Sequence, residues 1–60
     1  MGGPAYTEEF LRARRRLRRG QCPTERDLKH VYDQGWDSHL GASEKELAEK
    51  CKQEYATGEE

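Results

Sequence analysis

The stretch YTEEFLRARRRLRRG, residues 6–20, decides the architecture. Tyr6, Phe10, Ala13 and Leu17 recur at spacings of four, three and four, which puts them on one narrow stripe of a 3.6-residue helix. Thr7 offers an N-cap oxygen just ahead of Glu8 and Glu9, whose charge suits the positive end of the helix dipole. Gly20 supplies a C-terminal stop. Arg12, Arg15, Arg16 and Arg19 fall on the face opposite the apolar stripe, and Arg14 and Arg18 flank it beside Leu11. Six guanidinium groups therefore wrap one short rod that must bury its other side.

Downstream, the same logic yields two more helices. Gln21 to Pro23 is a tight link, and Thr24 with Asp27 resembles a capping box with Asp in place of Glu. Leu28, Val31 and Tyr32 follow at the i, i+3, i+4 spacing, with Lys29 and Asp33 as an exposed pair and Gly35 as the stop. Trp36 to Ala42 reads as a loop with room for a short extra turn at Asp37 to Leu40, and Trp36 and Leu40 plug the open side of the helical pair. Ser43 with Glu46 predicts a second capping box, and Leu47, Ala48, Cys51 and Tyr55 form a third stripe. Its outer face alternates in charge through Lys45 with Glu49, Glu46 with Lys50, and Lys50 with Glu54.

These segments predict helices over residues 7–19, 25–34 and 44–56 around Phe10, Leu17, Leu28, Val31, Trp36, Leu47 and Tyr55. Residues 1–6 read as a flexible leader, 7–56 as the three-helix domain and 57–60 as an acidic tail. No internal repeat and no strand-like alternation is present. The expected class is all-α: a small three-helix bundle, single domain, partly disordered or dimeric.

Composition makes partial disorder or dimerisation an expected feature. With 60 residues, 32% of them hydrophobic and 38% charged, the chain lies near the limit at which burial no longer offsets ordering entropy. Its 11 Lys and Arg balance 12 Asp and Glu, so the whole molecule favours neither polyanions nor polycations. The distribution is uneven: between Phe10 and Gly20 there are six arginines and no acid, while Gly41 to Glu60 holds three lysines and six glutamates. No apolar run is long enough to span a bilayer, and the first residues lack the basic and apolar regions of a signal peptide, which points to a cytoplasmic or nuclear protein with no membrane partner. Cys22 and Cys51 could pair, but a cytosolic setting keeps them reduced, and two cysteines are too few for a disulfide scaffold.

The arginine run is the feature with chemistry to offer. Guanidinium groups stay charged at any working pH and donate in a planar fork that matches phosphate and carboxylate. The first reading is a small non-enzymatic regulatory protein that docks this helix on nucleic acid, DNA or RNA, with Arg12, Arg15, Arg16, Arg18 and Arg19 on phosphates and Arg26 and Lys29 at the edge. No aromatic interleaves the run to stack on bases. The alternative, of nearly equal weight, is an adaptor or inhibitor using the same arginines on an acidic protein surface, with Tyr32, Trp36 and Leu40 as the apolar anchor. The plain reading is a solvated face held by Glu8 and by acids of the third helix, within the monomer or across a homodimer.

Other chemistry finds less support. Cys22, His30, His39 and Cys51 are zinc-ligand types, but their gaps of seven, eight and eleven residues match no clustered finger pattern, so no metal or cofactor is expected. A dyad of Cys22 with His30 or His39 would need an enclosing pocket that so short a chain rarely builds, and consecutive Asp37, Ser38 and His39 diverge. No glycine loop cradles phosphate. Arg16-Leu17-Arg18-Arg19 followed by Gln21 is faintly similar to small bacterial nucleoid-modulating proteins over a handful of positions, which implies no role for any residue.

Overall fold

The computed structural model describes residues 5–57, so the leader up to Pro4 and the tail beyond Thr57 lie outside the described residues. Three helices follow in chain order: α1 (Glu8–Arg18), α2 (Glu25–Asp33) and α3 (Ala42–Thr57), with a single 3₁₀ turn at Trp36–His39 between the last two. No strand occurs among the described residues, and the chain is an all-α, three-helix domain.

Local signals set most of the boundaries. The Thr7 hydroxyl accepts the Phe10 N–H at 3.4 Å, and the Thr24 hydroxyl accepts the Asp27 N–H at 3.2 Å, each satisfying one of the orphan donors of a first turn. α1 ends in a Schellman motif: the Gly20 N–H bonds the Leu17 carbonyl at 3.0 Å and the Gln21 N–H bonds the Arg16 carbonyl at 2.8 Å. Gly20 sits at φ 78°, in the left-handed region where a side chain is disfavoured.

The start of α3 differs from the expected Ser43 box. The helix begins at Ala42, and the Gly41 N–H donates to Glu44 Oε1 at 3.2 Å, so the acid three residues into the helix reaches back to the cap from Glu44 and not from Glu46. Gly41 at the cap has its own N–H satisfied by Glu44, and Ser43 is exposed inside the first turn.

The core consists of Phe10, Ala13 and Leu17 from α1, Leu28 and Val31 from α2, Leu40 from the connection, and Ala48 and Cys51 from α3. The sequence placed Trp36, Leu47 and Tyr55 at the centre; they are half-buried around it, because Phe10 and the aliphatic side chains of α1 and α2 already fill the small interior that helices this short enclose. Trp36 lies against Phe10 and Tyr6 with ring centroids 5.1 and 5.2 Å apart, edge to face, and Tyr6 lies 4.4 Å from Phe10. Two histidines finish this cluster: His30 bonds the Thr7 hydroxyl and His39 the Tyr6 hydroxyl, both at 2.7 Å. Tyr6 is thus part of the packed unit.

The largest departure from expectation is covalent. Cys22 and Cys51 form a disulfide, where a cytosolic reading has two thiols. The link between α1 and α2 passes over the middle of α3 and brings the two Cα atoms to 5.8 Å, inside bonding range. Closing a loop of this length stabilises a fold by roughly 3 to 4 kcal/mol in the chain-entropy picture. For a helix whose only fully buried residues are Ala48 and Cys51, that adds a covalent attachment to the packing of Leu47 and Tyr55.

Candidate anion-binding face

α1 presents its arginines in three chemical states. Arg12 grips Asp27 with two bonds, Nε to Oδ2 at 2.7 Å and Nη2 to Oδ1 at 3.2 Å. Asp27 is 2% exposed, and the Arg12 hydrogen bonds hold its carboxyl below the usual range despite the opposing pull of burial. Arg18 donates from Nε to Glu44 Oε2 at 2.9 Å. Arg14 lies over the Tyr6 and Phe10 rings, its Cζ 5.7 and 5.4 Å from their centroids. Arg15, Arg16 and Arg19 are exposed and close no ion pair among the described residues.

Of the remaining sequence-derived candidates, Arg26 and Lys29 are exposed on α2. The Tyr32, Trp36 and Leu40 set divides: Leu40 is core, Trp36 belongs to the aromatic cluster, and Tyr32 is half-buried with the Lys52 ammonium 4.3 Å from its ring centroid. The Tyr32 hydroxyl is buried without a hydrogen-bond partner, and burial pushes its pKa up. The helix-surface pairs expected through Glu8–Arg12, Lys29–Asp33 and along α3 do not close; Arg12 and Lys45 turn instead to Asp27 and Asp37 across the fold.

One feature went unread in the sequence. Leu11, Arg14, Arg15 and Arg18 line a shallow depression of about 210 Å³ on the outer side of α1. Their positions are i, i+3, i+4 and i+7, the spacing that already defines a core face, so the helix carries a second stripe beside the first. Leu11 is 37% exposed and is the one large exposed hydrophobic among the described residues. An apolar floor with three guanidinium walls suits a carboxylate-bearing surface that also offers an apolar side chain.

Glu44 stands at the edge of this face. Burial pushes its carboxyl up, but the Gly41 N–H, the Arg18 hydrogen bond and the charges of Arg18 and Arg14 outweigh that and hold it below the usual range. A second groove of about 300 Å³ runs between α2 and α3, with Leu28, Tyr32, Tyr55 and Ala56 inside. Its rim sets Glu25 and Asp33 against Lys29 and Lys52, so it selects no sign of charge.

The sulfurs of Cys22 and Cys51 are bonded to each other. In this bonded state neither sulfur is a free thiolate. No helix among the described residues is long and apolar enough to cross a membrane. No known protein family, curated protein or solved structure matches the chain.

Proposed function

We propose that the chain is a small non-enzymatic binding protein that docks α1 on an acidic protein surface. The observation that carries this reading is the stripe of Leu11 with Arg14, Arg15 and Arg18, which couples charge recognition to an apolar contact on one helix face. Arg15, Arg16 and Arg19 extend the positive field around the rest of the helix and steer an anionic partner toward it.

The same guanidinium groups would meet phosphates, the first reading of the sequence. Two observations favour the protein partner. Arg12 is engaged with the buried Asp27, which interrupts a continuous ladder along the run. Tyr6 and Trp36 are packed on each other and on Phe10, so both rings are committed in part to the aromatic cluster and less open to stack on a base. A closed Cys22–Cys51 disulfide is the state an oxidising compartment sustains; in the cytoplasm, the location read from the sequence, the pair would be reduced.

The test is a titration at roughly 50 and 200 mM salt with three labelled probes: a helical peptide bearing glutamates around a central leucine, duplex DNA and single-stranded RNA. The reading expects peptide binding that weakens at the higher salt, is lost in Arg15→Glu/Arg16→Glu and drops in Leu11→Ala. Binding of DNA or RNA that ignores Leu11→Ala would transfer the face to phosphate recognition. Absence of binding to all three at the lower salt would remove the face as a docking site.

A further inference from the structure

The docking face has an internal acidic neighbour, and that neighbour is tethered by a bond that can be broken. Glu44 places Oε2 2.9 Å from Arg18 Nε, and its charge is also felt by Arg14, so one carboxylate of α3 acts on two of the three guanidinium walls. Glu44 is itself fixed at the start of α3 by the Gly41 N–H. α3 in turn contributes only Ala48 and Cys51 to the buried core, and Cys51 is the half of the disulfide with no exposed surface. Cys51 is thus the covalent part of that helix's attachment, beside the packing of Ala48, Leu47 and Tyr55 and the Tyr55–Pro23 and Lys45–Asp37 contacts.

Resting on the docking reading above, we propose that the Cys22–Cys51 disulfide gates the face: closed, it holds Glu44 against Arg18 as an internal competitor; open, it lets α3 move away and yields Arg14 and Arg18 to the partner. Burial sets the direction of the exchange. Cys22 is half-exposed and Cys51 is sealed, so an incoming thiolate attacks Cys22 Sγ. The S–S bond breaks with its electron pair going to Cys51 Sγ, which is then protonated, and a mixed disulfide remains on Cys22. A second thiolate attacks the outer sulfur of that mixed disulfide, freeing Cys22 and leaving the reductant oxidised as its own disulfide. The required co-reactant is a dithiol or two thiols.

The experiment measures the affinity of the glutamate-and-leucine peptide for oxidised protein, for protein reduced with excess dithiothreitol, and for Glu44→Gln in both states, with helicity followed in parallel. Gln keeps an oxygen for the Gly41 N–H and replaces the charged acceptor of Arg18 by an amide N–H, which cannot accept from it. The gate expects reduction to tighten binding roughly two- to fivefold, the scale of one exposed ion pair. It also expects oxidised Glu44→Gln to match reduced wild type, with no further gain on reduction. Unchanged or weaker binding on reduction, an oxidised Glu44→Gln indistinguishable from wild type, or collapse of all helicity on reduction would each overturn the gate. If it fails alone, oxidised wild type still binds the peptide and Arg15→Glu/Arg16→Glu still abolishes it; if no form binds, the docking reading has failed and the gate with it.

Discussion

Asp27 is the one buried charged residue among the described residues, and it joins the two helices that share most of the core. Its carboxylate accepts two bonds from a guanidinium that is itself half in solvent, so the pair avoids the full desolvation penalty of a dry ion pair. Replacing Asp27 by Ala should destabilise the fold by about 1.5–3 kcal/mol in urea unfolding, the range for hydrogen bonds to charged groups. The sign with pH follows from Arg12 lowering the native carboxyl. The unfolded state takes up the proton first, so the contribution is complete above about pH 4, the ordinary Asp range, and is lost as pH falls through the lower native value. Urea midpoints below pH 4 should therefore fall less steeply in Asp27→Asn than in wild type. Gly20 tests backbone chemistry alone: a Cβ there meets nothing within 4 Å, yet φ is 78°. Gly20→Ala should cost about 1–2 kcal/mol from the left-handed backbone, with no packing change.

At the scale of elements, the two proposals for the α3 start separate by mutation. A Ser43 cap predicts that Ser43→Ala loses about 1 kcal/mol. With Gly41 at the cap and Ser43 inside the first turn, Ser43→Ala should stay within about 0.5 kcal/mol of wild type, while Glu44→Ala loses the Gly41 and Arg18 bonds and falls further in thermal unfolding. This case shows where sequence reading reaches its limit. The stripes of α1 and α2, their threonine caps and the Gly20 and Gly35 stops were legible because each depends on spacing and on one residue's own chemistry. The α3 start was not, since Ser43–Glu46 and Gly41–Glu44 both satisfy a four-residue template, and the choice depends on Arg18 drawing Glu44 to its side. The face was half legible. The arginines were plain in the sequence, but Leu11 read as a flank because the Tyr6 to Leu17 stripe already accounted for the helix's burial. That Arg12 would be consumed by Asp27 is a contact across 15 positions, and no local pattern encodes it.

For the whole molecule, stability is the quantity that ties fold to function. A chain of this size is worth roughly 3 to 9 kcal/mol at ordinary per-residue stability. A disulfide worth roughly 3 to 4 kcal/mol is then between a third and all of it, and reduction should shift the denaturant midpoint by that proportion. The loss should not be uniform. α1 and α2 share Phe10, Leu17, Leu28 and Val31, the rings of Tyr6 and Trp36 and the Arg12–Asp27 grip, and none of those groups lies on α3. Besides the sulfur bond, α3 is held by the Tyr55 hydroxyl on the Pro23 carbonyl, by Arg18 on Glu44, by Lys45 on Asp37 and by Lys52 over the Tyr32 ring. Amide exchange on reduced protein should therefore show protection falling most at Ala48 to Tyr55, and less at Phe10 to Leu17 and at Leu28 to Val31. Equal loss across all three helices would mean that the sulfur bond holds up the entire core. Selective loss would mean that the charged face of α1 keeps its scaffold while its acidic neighbour departs, the arrangement in which redox state changes what the protein binds and leaves its framework folded.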